Sequence, residues 1–232
     1  MRIPMSPGNP KSTTVNVPTG RIRVLLVEDH PMVRQGMRAL LAGTPDLALC
    51  GEATSPEEAV RAVRELHPDV VCLDLMLGGV DAFEVIRRIR EENQHVRVLV
   101  LSVRDEQAYA ERCLQAGALG YAMKTEPNET LLTGLRRVAR GELHLSAKAA
   151  MTVLNRVNRP SGDRSGVAAL SDREFQVFQF IGLGHSTRQI AERLGIGIKT
   201  VETHRENIKN KLGLEHAPAL VREATMWVQR CT

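Results

Sequence analysis

The sequence predicts a doubly wound α/β domain followed by a small all-α domain. Two observations predict this. Between residues 21 and 140, short apolar runs rich in Val, Ile and Leu alternate with amphipathic helical patterns, and from about 170 to 230 only helical patterns remain. Apolar runs of this kind suit strands buried on both faces, and strand–helix alternation implies a parallel sheet with right-handed crossovers.

The expected strands are 23–28, 47–52, 70–74, 97–102 and 120–123, and the helices between and after them 31–42, 55–66, 81–92, 105–116 and 127–140. The second helix carries a clear start signal: Ser55 as N-cap, Pro56 in the first helical position, then Glu57 and Glu58 in the first turn. GELHLS, 141–146, reads as a further strand-like segment before a short helix that ends near 157. The stretch NRPSGDRSG from Asn158 to Gly166 has the composition of a flexible linker. The last part opens on Ser171-Asp172-Arg173-Glu174, a capping-box pattern, and continues with helices at 187–194, 198–212 and 216–229. The expected organisation is therefore a disordered tail over 1–20, rich in Pro, Ser, Thr and Gly, an α/β domain over 21–140, a linker over 141–167 and a helical domain over 168–232.

Composition narrows the class. The 232 residues carry a formal net charge of +4 and an isoelectric point of about 9.1, which permits nucleic-acid binding without requiring it. Aromatic residues make up only 3%, too few to build the stacking platforms of single-strand binders, so duplex DNA is the favoured nucleic acid. Cys50, Cys72, Cys113 and Cys231 form no CxxC pair and read as reduced thiols of a cytoplasmic protein. No apolar run approaches the length of a membrane span.

The strand ends carry the chemistry. Glu28 and Asp29 end the first strand, Asp74 the third and Ser102 the fourth, and Lys124 follows the fifth. In a parallel sheet all carboxyl ends lie at one edge, where ligands bind. Carboxylates gathered there repel one another unless a cation neutralises them, which points to a divalent ion, Mg2+, and a phosphoryl group. Asp29 and Asp74 are the oxygen ligands in this reading, with Glu28 at longer range and the Met76 carbonyl completing the protein's share. Asp74 is the nucleophile that accepts the phosphoryl group, Lys124 stabilises its oxygens and Ser102 donates to them.

The set Glu28-Asp29, Asp74, Ser102 and Lys124 resembles the receiver domain of two-component response regulators. The resemblance implies a flavodoxin-like five-stranded fold, a histidine kinase or small phosphodonor as the source of phosphate, and a switch in which Ser102 and the aromatic Tyr121 move together. Tyr121 also fits an ordinary half-buried strand aromatic. The sequence departs from the family at Gly78, Ala82 and Thr125, where Pro, Gly and Pro are usual; these changes touch loop geometry, not ligands. A phosphatase with an aspartyl nucleophile is the enzymatic alternative, but such enzymes want a second acid two residues later, where Met76 stands. A phosphorylation-independent DNA binder is the other alternative, and the intact acidic set argues against it.

The helical domain contains STRQIAERLGIGIKTVETHRENIKNKLGL. Ile190, Ala191 and Leu194 line one side of its first helix, and Val201, His204, Ile208 and Leu212 one side of the next. The opposite side of that second helix carries Lys199, Glu202, Thr203 and Glu206, with Thr200 beside them, a polar stripe suited to the major groove. Glu202 or Glu206 could accept from cytosine N4, although both also repel phosphates. Arg188, Lys199, Arg205, Lys209 and Lys211 are expected to contact phosphates. These motifs resemble the LuxR-type helix–turn–helix of NarL/FixJ regulators, with Gly197 where Ser is common. The resemblance implies a transcription factor, not an enzyme, that pairs as a homodimer on DNA through its last helix, where Ala217, Leu220, Val221, Ala224 and Val228 form a stripe.

Overall fold

The computed structural model describes residues 20–77, 81–157 and 166–231. The tail up to residue 19, Gly78 and most of the expected flexible linker lie outside the described residues. Five strands form one parallel sheet: β1 (Ile22–Val27), β2 (Leu47–Ala53), β3 (Val70–Asp74), β4 (Arg97–Ser102) and β5 (Gly120–Met123). Their order is β2-β1-β3-β4-β5, the doubly wound, flavodoxin-like arrangement. Helices α1 (Pro31–Ala42), α2 (Pro56–Leu66), α3 (Ala82–Glu92), α4 (Glu106–Ala116) and α5 (Asn128–Ala139) alternate with the strands.

Two cores result, one on each face. Val24, Leu26, Val70, Cys72, Leu99 and Leu101 meet α1 and α5 through Met37, Leu41, Leu135 and Val138. Leu25, Val27, Val71, Leu73, Val98 and Val100 meet α2, α3 and α4 through Val63, Ile86, Ile89 and Cys113. Alternate residues of the same strands serve the two cores, which is why the runs are apolar throughout instead of alternating with polar residues. Ser55 accepts from the Glu58 N–H at 3.2 Å, the expected start of α2. The four cysteines are buried and unpaired, and burial pushes the Cys72 thiol up to about 12.

The segment 141–146 corrects the expectation of a strand. It meets the sheet at one point, a parallel bridge between Gly120 and His144, where Tyr121 N–H donates to the His144 carbonyl at 2.9 Å. The chain then leaves the edge, because Glu106 captures the Ser146 N–H at 2.9 Å and turns it into α6 (Ala147–Val157). The expected linker over 141–167 thus contains a helix, which packs on α4.

After a 3-10 turn at Gly166–Ala169 come α7 (Asp172–Gly182), α8 (Thr187–Leu194), α9 (Ile198–Leu212) and α10 (Ala217–Arg230). Capping boxes start α7 at Ser171 and α8 at Ser186. Gly197 starts α9 without a side-chain cap. Phe175, Phe178, Ile190, Val201, Ile208, Leu220 and Ala224 form the core of this unit. Among the described residues, no helix is long and apolar enough to cross a membrane.

Helices α7 and α10 approach closely at Gly182. A Cβ there would overlap the Ala224 carbonyl and come within 2.6 Å of Val228 Cγ2. Gly182→Ala is therefore expected to destabilise the helical domain by about 1–3 kcal/mol, the usual cost of overpacking, read as a lower midpoint in urea unfolding.

Candidate phosphoryl-acceptor site and nucleic-acid interface

The strand order places the site. Crossovers run to opposite sides of β1 and β3, so the helices that follow these strands diverge and leave a crevice at their carboxyl ends. Glu28 extends β1 by one ladder bond to the Ala53 carbonyl, at 3.0 Å, and its side chain is fully buried. Asp74 ends the adjacent β3 and is 2% exposed. Asp29 and His30 stand at the mouth. Lys124 arrives from beyond β5, held by its N–H on the Ser102 carbonyl at 2.7 Å, and its long stem crosses toward the carboxylates.

Two buried carboxylates side by side are costly, and Lys124 offsets that cost. Its Nζ lies 2.6 Å from Glu28 Oε2 and 3.2 Å from Asp74 Oδ1. Burial pushes the Asp74 carboxyl above the usual carboxylate range, and Glu28 adds repulsion; Lys124 and the Met76 N–H, 3.2 Å away, work against that shift. Burial opposes the Lys124 ammonium, but Glu28 and Asp74 outweigh it and hold its pKa above the ordinary value. Asp74 Oδ2 is buried and has no hydrogen-bond partner. Oxygens of Glu28, Asp29 and Asp74 and the Nδ1 of His30 lie within 4.8 Å of one another. An orphaned carboxylate oxygen facing a cluster of hard donors fits a divalent cation. Met76 occupies the turn after Asp74, and its N–H donates to that carboxylate.

Ser102 and Tyr121 meet at the next loop. Ser102 Oγ accepts from the Arg104 N–H at 3.1 Å, and the Tyr121 hydroxyl donates to the Arg104 carbonyl at 2.9 Å. Tyr121 is 1% exposed, and burial raises its hydroxyl pKa, with a bond to Ser102 acting in the opposite direction. Both side chains thus grip one peptide segment. That segment touches the helical domain: the Asp105 N–H reaches the Cys231 carbonyl at 3.3 Å. A 50 Å³ cavity at the seam is lined by Met76, Phe83, Arg104, Tyr109, Gln179 and Phe180.

The domain contact was not legible in the sequence. Asp172, in the first turn of α7, accepts from Arg87 of α3 at 2.9 Å and from Arg112 of α4 at 3.0 Å. Arg112 also donates to the Val167 and Leu170 carbonyls and lies 4.2 Å above the Phe175 ring. Tyr109 packs edge-on to Phe175 and against Trp227 of α10, and its hydroxyl accepts from Gln179. Local sequence marked Asp172 only as a helix-start residue, and nothing nearby signalled its distant arginines.

The helix–turn–helix is built as expected, with Gly195 in the left-handed region between α8 and α9. Lys199, Thr200, Glu202, Thr203 and Glu206 are exposed together, and Arg205 is half-buried. Arg188 pairs with Glu192 at 3.2 Å, and Lys209 with Glu206 at 2.9 Å. Lys211 Nζ lies 2.7 Å from Glu174 Oε2 and joins α9 to the capping box of α7. His204 faces inward, and burial lowers its pKa. On α10, Leu220, Ala224 and Val228 are consumed by the domain's own core, leaving Ala217 and Val221 exposed. The polar stripe of α9 is turned to solvent while α7 and α10 face the α/β domain.

A sheet with this acidic crevice, joined to a solvent-facing helix–turn–helix, defines a two-domain DNA-binding regulator. Residues 24–136 match the response regulator receiver domain, and residues 168–224 match the bacterial regulatory proteins of the luxR family. The chain belongs to the NarL/FixJ family of two-component response regulators, which are transcriptional regulators and not enzymes. It is 37% identical over 193 residues to the transcriptional regulatory protein LiaR of Bacillus subtilis, covering 82% of this chain and 90% of that one. It is 34% identical over 210 residues to the nitrate/nitrite response regulator NarL of Escherichia coli K12, covering 89% and 94%. Its fold matches RcsB of Salmonella enterica serovar Typhimurium, solved bound to promoter rprA in the presence of the phosphomimetic BeF3-, with TM-score 0.64, 22% identity and coverage of 88% and 98%.

Asp172→Asn keeps the shape of the domain contact but removes the charge that two arginines share, at a cost of about 1.5–3 kcal/mol for bonds to a charged group. The expected outcome is a larger radius of gyration by solution scattering, with the far-ultraviolet circular dichroism unchanged.

Proposed function

We propose that this protein is a cytoplasmic transcription factor whose duplex DNA binding is switched by phosphorylation of Asp74, with a histidine kinase or small phosphodonor as the source. The observation that carries this reading is the convergence of Glu28, Asp29, Asp74, Ser102 and Lys124 from four strand ends on one buried crevice.

Asp74 Oδ2, with no hydrogen-bond partner, is the attacking oxygen: its bond to phosphorus forms as the donor's P–N bond (phosphohistidine) or P–O bond (acyl phosphate) breaks and the imidazole or carboxylate leaves, while Oδ1 is held by the Met76 N–H and Lys124. Glu28, Asp29, Asp74 and the Met76 carbonyl would hold Mg2+, which when bound neutralises carboxylate and phosphoryl charge. Lys124 sits where it can pair with a phosphoryl oxygen, and doing so releases part of its hold on Glu28. Ser102 Oγ turns from the Arg104 N–H to donate to the new oxygens. Tyr121 follows because both grip the Arg104 peptide, and the shift reaches the seam against Gln179, Trp227 and Cys231.

The closed arrangement suggests what the switch acts on. It leaves Lys199, Thr200, Glu202, Thr203 and Glu206 accessible, whereas it holds α10 through Trp227 and Cys231. Phosphorylation would therefore release α10 for homodimer pairing on DNA more than it would unmask α9. The two states need differ by only a few kcal/mol for phosphorylation to shift their populations.

Incubation with radiolabelled acetyl phosphate and Mg2+ should label the wild type and not Asp74→Asn, and chelation of the metal should abolish the label; labelling of the variant would refute the acceptor. Lys199→Ala should weaken DNA binding about equally across sequences and reduce the salt dependence by about one ion in a fluorescence anisotropy titration, as loss of one phosphate contact requires.

A further inference from the structure

A buried imidazole with no part in the phosphoryl chemistry closes the open edge of the sheet. β5 is the last strand in the order β2-β1-β3-β4-β5, so one of its edges has no strand beside it. His144 covers that edge. Its N–H donates to the Leu119 carbonyl at 3.1 Å, and its carbonyl accepts from the Tyr121 N–H at 2.9 Å. Its side chain packs against α5 and the residue is only 8% exposed.

Two glycines make the socket. A Cβ at Gly120 would stand 3.1 Å from His144 Cβ, and a Cβ at Gly134, inside α5, would stand 2.8 Å from Cδ2 and 2.9 Å from Nε2 of the ring. Glycine inside a helix is ordinarily unfavourable; here the ring takes the space that a side chain would need. Nδ1 is buried and has no hydrogen-bond partner among the described residues. An imidazolium needs acceptors for both of its N–H groups, so the socket fits a neutral ring.

The charges around the ring act in both directions. Arg137 of α5 opposes a proton there and lies 3.4 Å from Glu142, whereas Glu126, in the turn before α5, favours one. The Glu106 carboxylate of α4 is taken by the Ser146 N–H at 2.9 Å. β4 and β5 bring Leu99 and Gly120 to the socket, and Arg97 of β4 lies against Gly141, where the arm 141–157 begins. Burial, helped by Arg137, outweighs Glu126 and holds the imidazole below the usual histidine range.

We propose that His144 is a proton-sensitive latch: as a neutral ring it fixes the arm 141–157 to the edge of β5, and on mild acidification it releases the arm together with the bond that holds the Tyr121 backbone. The released ring titrates near its ordinary value of about 6.5 and the seated ring below it. The released arm therefore binds more protons, and docking is complete above about pH 6.5 and weakens as the pH falls through that value. Release also draws Ser146 from Glu106 and so loosens α6 from α4. Its effect on the phosphoryl switch rests on the role proposed for Tyr121; the latch itself does not.

Nuclear magnetic resonance of the full-length protein tests this through the ring titration and amide hydrogen exchange, with His144→Gln as a side chain that cannot titrate. Between about pH 7.5 and 5.5, the Tyr121 and Ser146 amides should lose roughly three- to tenfold in protection, near the most that a ring of ordinary value about 6.5 can supply. Amides of the central strand β3 should keep theirs, and His144→Gln should show no such pH dependence. A His144 ring that titrates at or above about 6.5, or Tyr121 and Ser146 amides unchanged over that range, overturns the latch. The same loss persisting in His144→Gln assigns it to Glu106 and overturns the latch as well. If glutamine leaves the arm released at both pH values, the wild-type ring and amides decide.

Discussion

Two carboxylates buried side by side set the terms for the rest of this molecule. Glu28 and Asp74 end neighbouring strands of a parallel sheet, buried away from bulk solvent that would screen them. Such a pair is tolerated only while something positive stands between or beside its members. Lys124 does this in the present structure by reaching in from the far side of β4, and its bond to Glu28 is the shortest in the crevice. The arrangement is poised because the compensation is incomplete: one Asp74 oxygen remains without a partner, and the Asp74 carboxyl sits above its ordinary range. A group that brings its own charge to that oxygen changes the balance of every partner at once.

The path outward from the crevice is short and made of ordinary bonds. Ser102 and Tyr121 both hold the Arg104 peptide, one by accepting its N–H and the other by donating to its carbonyl. The next residue touches the last turn of the molecule at Cys231, and Tyr109 one turn later packs on Phe175 and Trp227. A shift of Ser102 therefore reaches the second domain across a single loop. The arginine pair on Asp172 adds directional bonds to an apolar seam in which Phe83 and Tyr109 pack against Phe175 and Trp227.

The helical domain shows a similar division of labour among charges. Lys211 and Glu174 are spent on joining α9 to the start of α7, while the cations and polar groups at the beginning of α9 remain at the surface. On α10 the apolar stripe divides: Leu220, Ala224 and Val228 close the domain's own core, and Ala217 and Val221 are left outside. A stripe on a helical wheel has one side but not one fate, since neighbouring positions on it face different partners.

The sequence by itself determined the strand and helix sequence, the capping box at Ser171, and the gathering of Glu28, Asp29, Asp74, Ser102 and Lys124, because these depend on local periodicity and on the rule that parallel strands share one carboxyl edge. It gave a strand at 141–146 where only one bridge forms, since an alternating pattern states a preference for pairing and not whether the chain stays at the edge. Only the tertiary structure decided that Asp172 meets Arg87 and Arg112, that Lys211 is occupied by Glu174, that Tyr121 and Ser102 share the Arg104 peptide, and that His30 turns toward the carboxylates. The Asp172 and Lys211 contacts join residues tens of positions apart on surfaces where charged side chains are common. Which cation meets which anion there is set by how helices pack across the sheet, and no short stretch of chain carries that information.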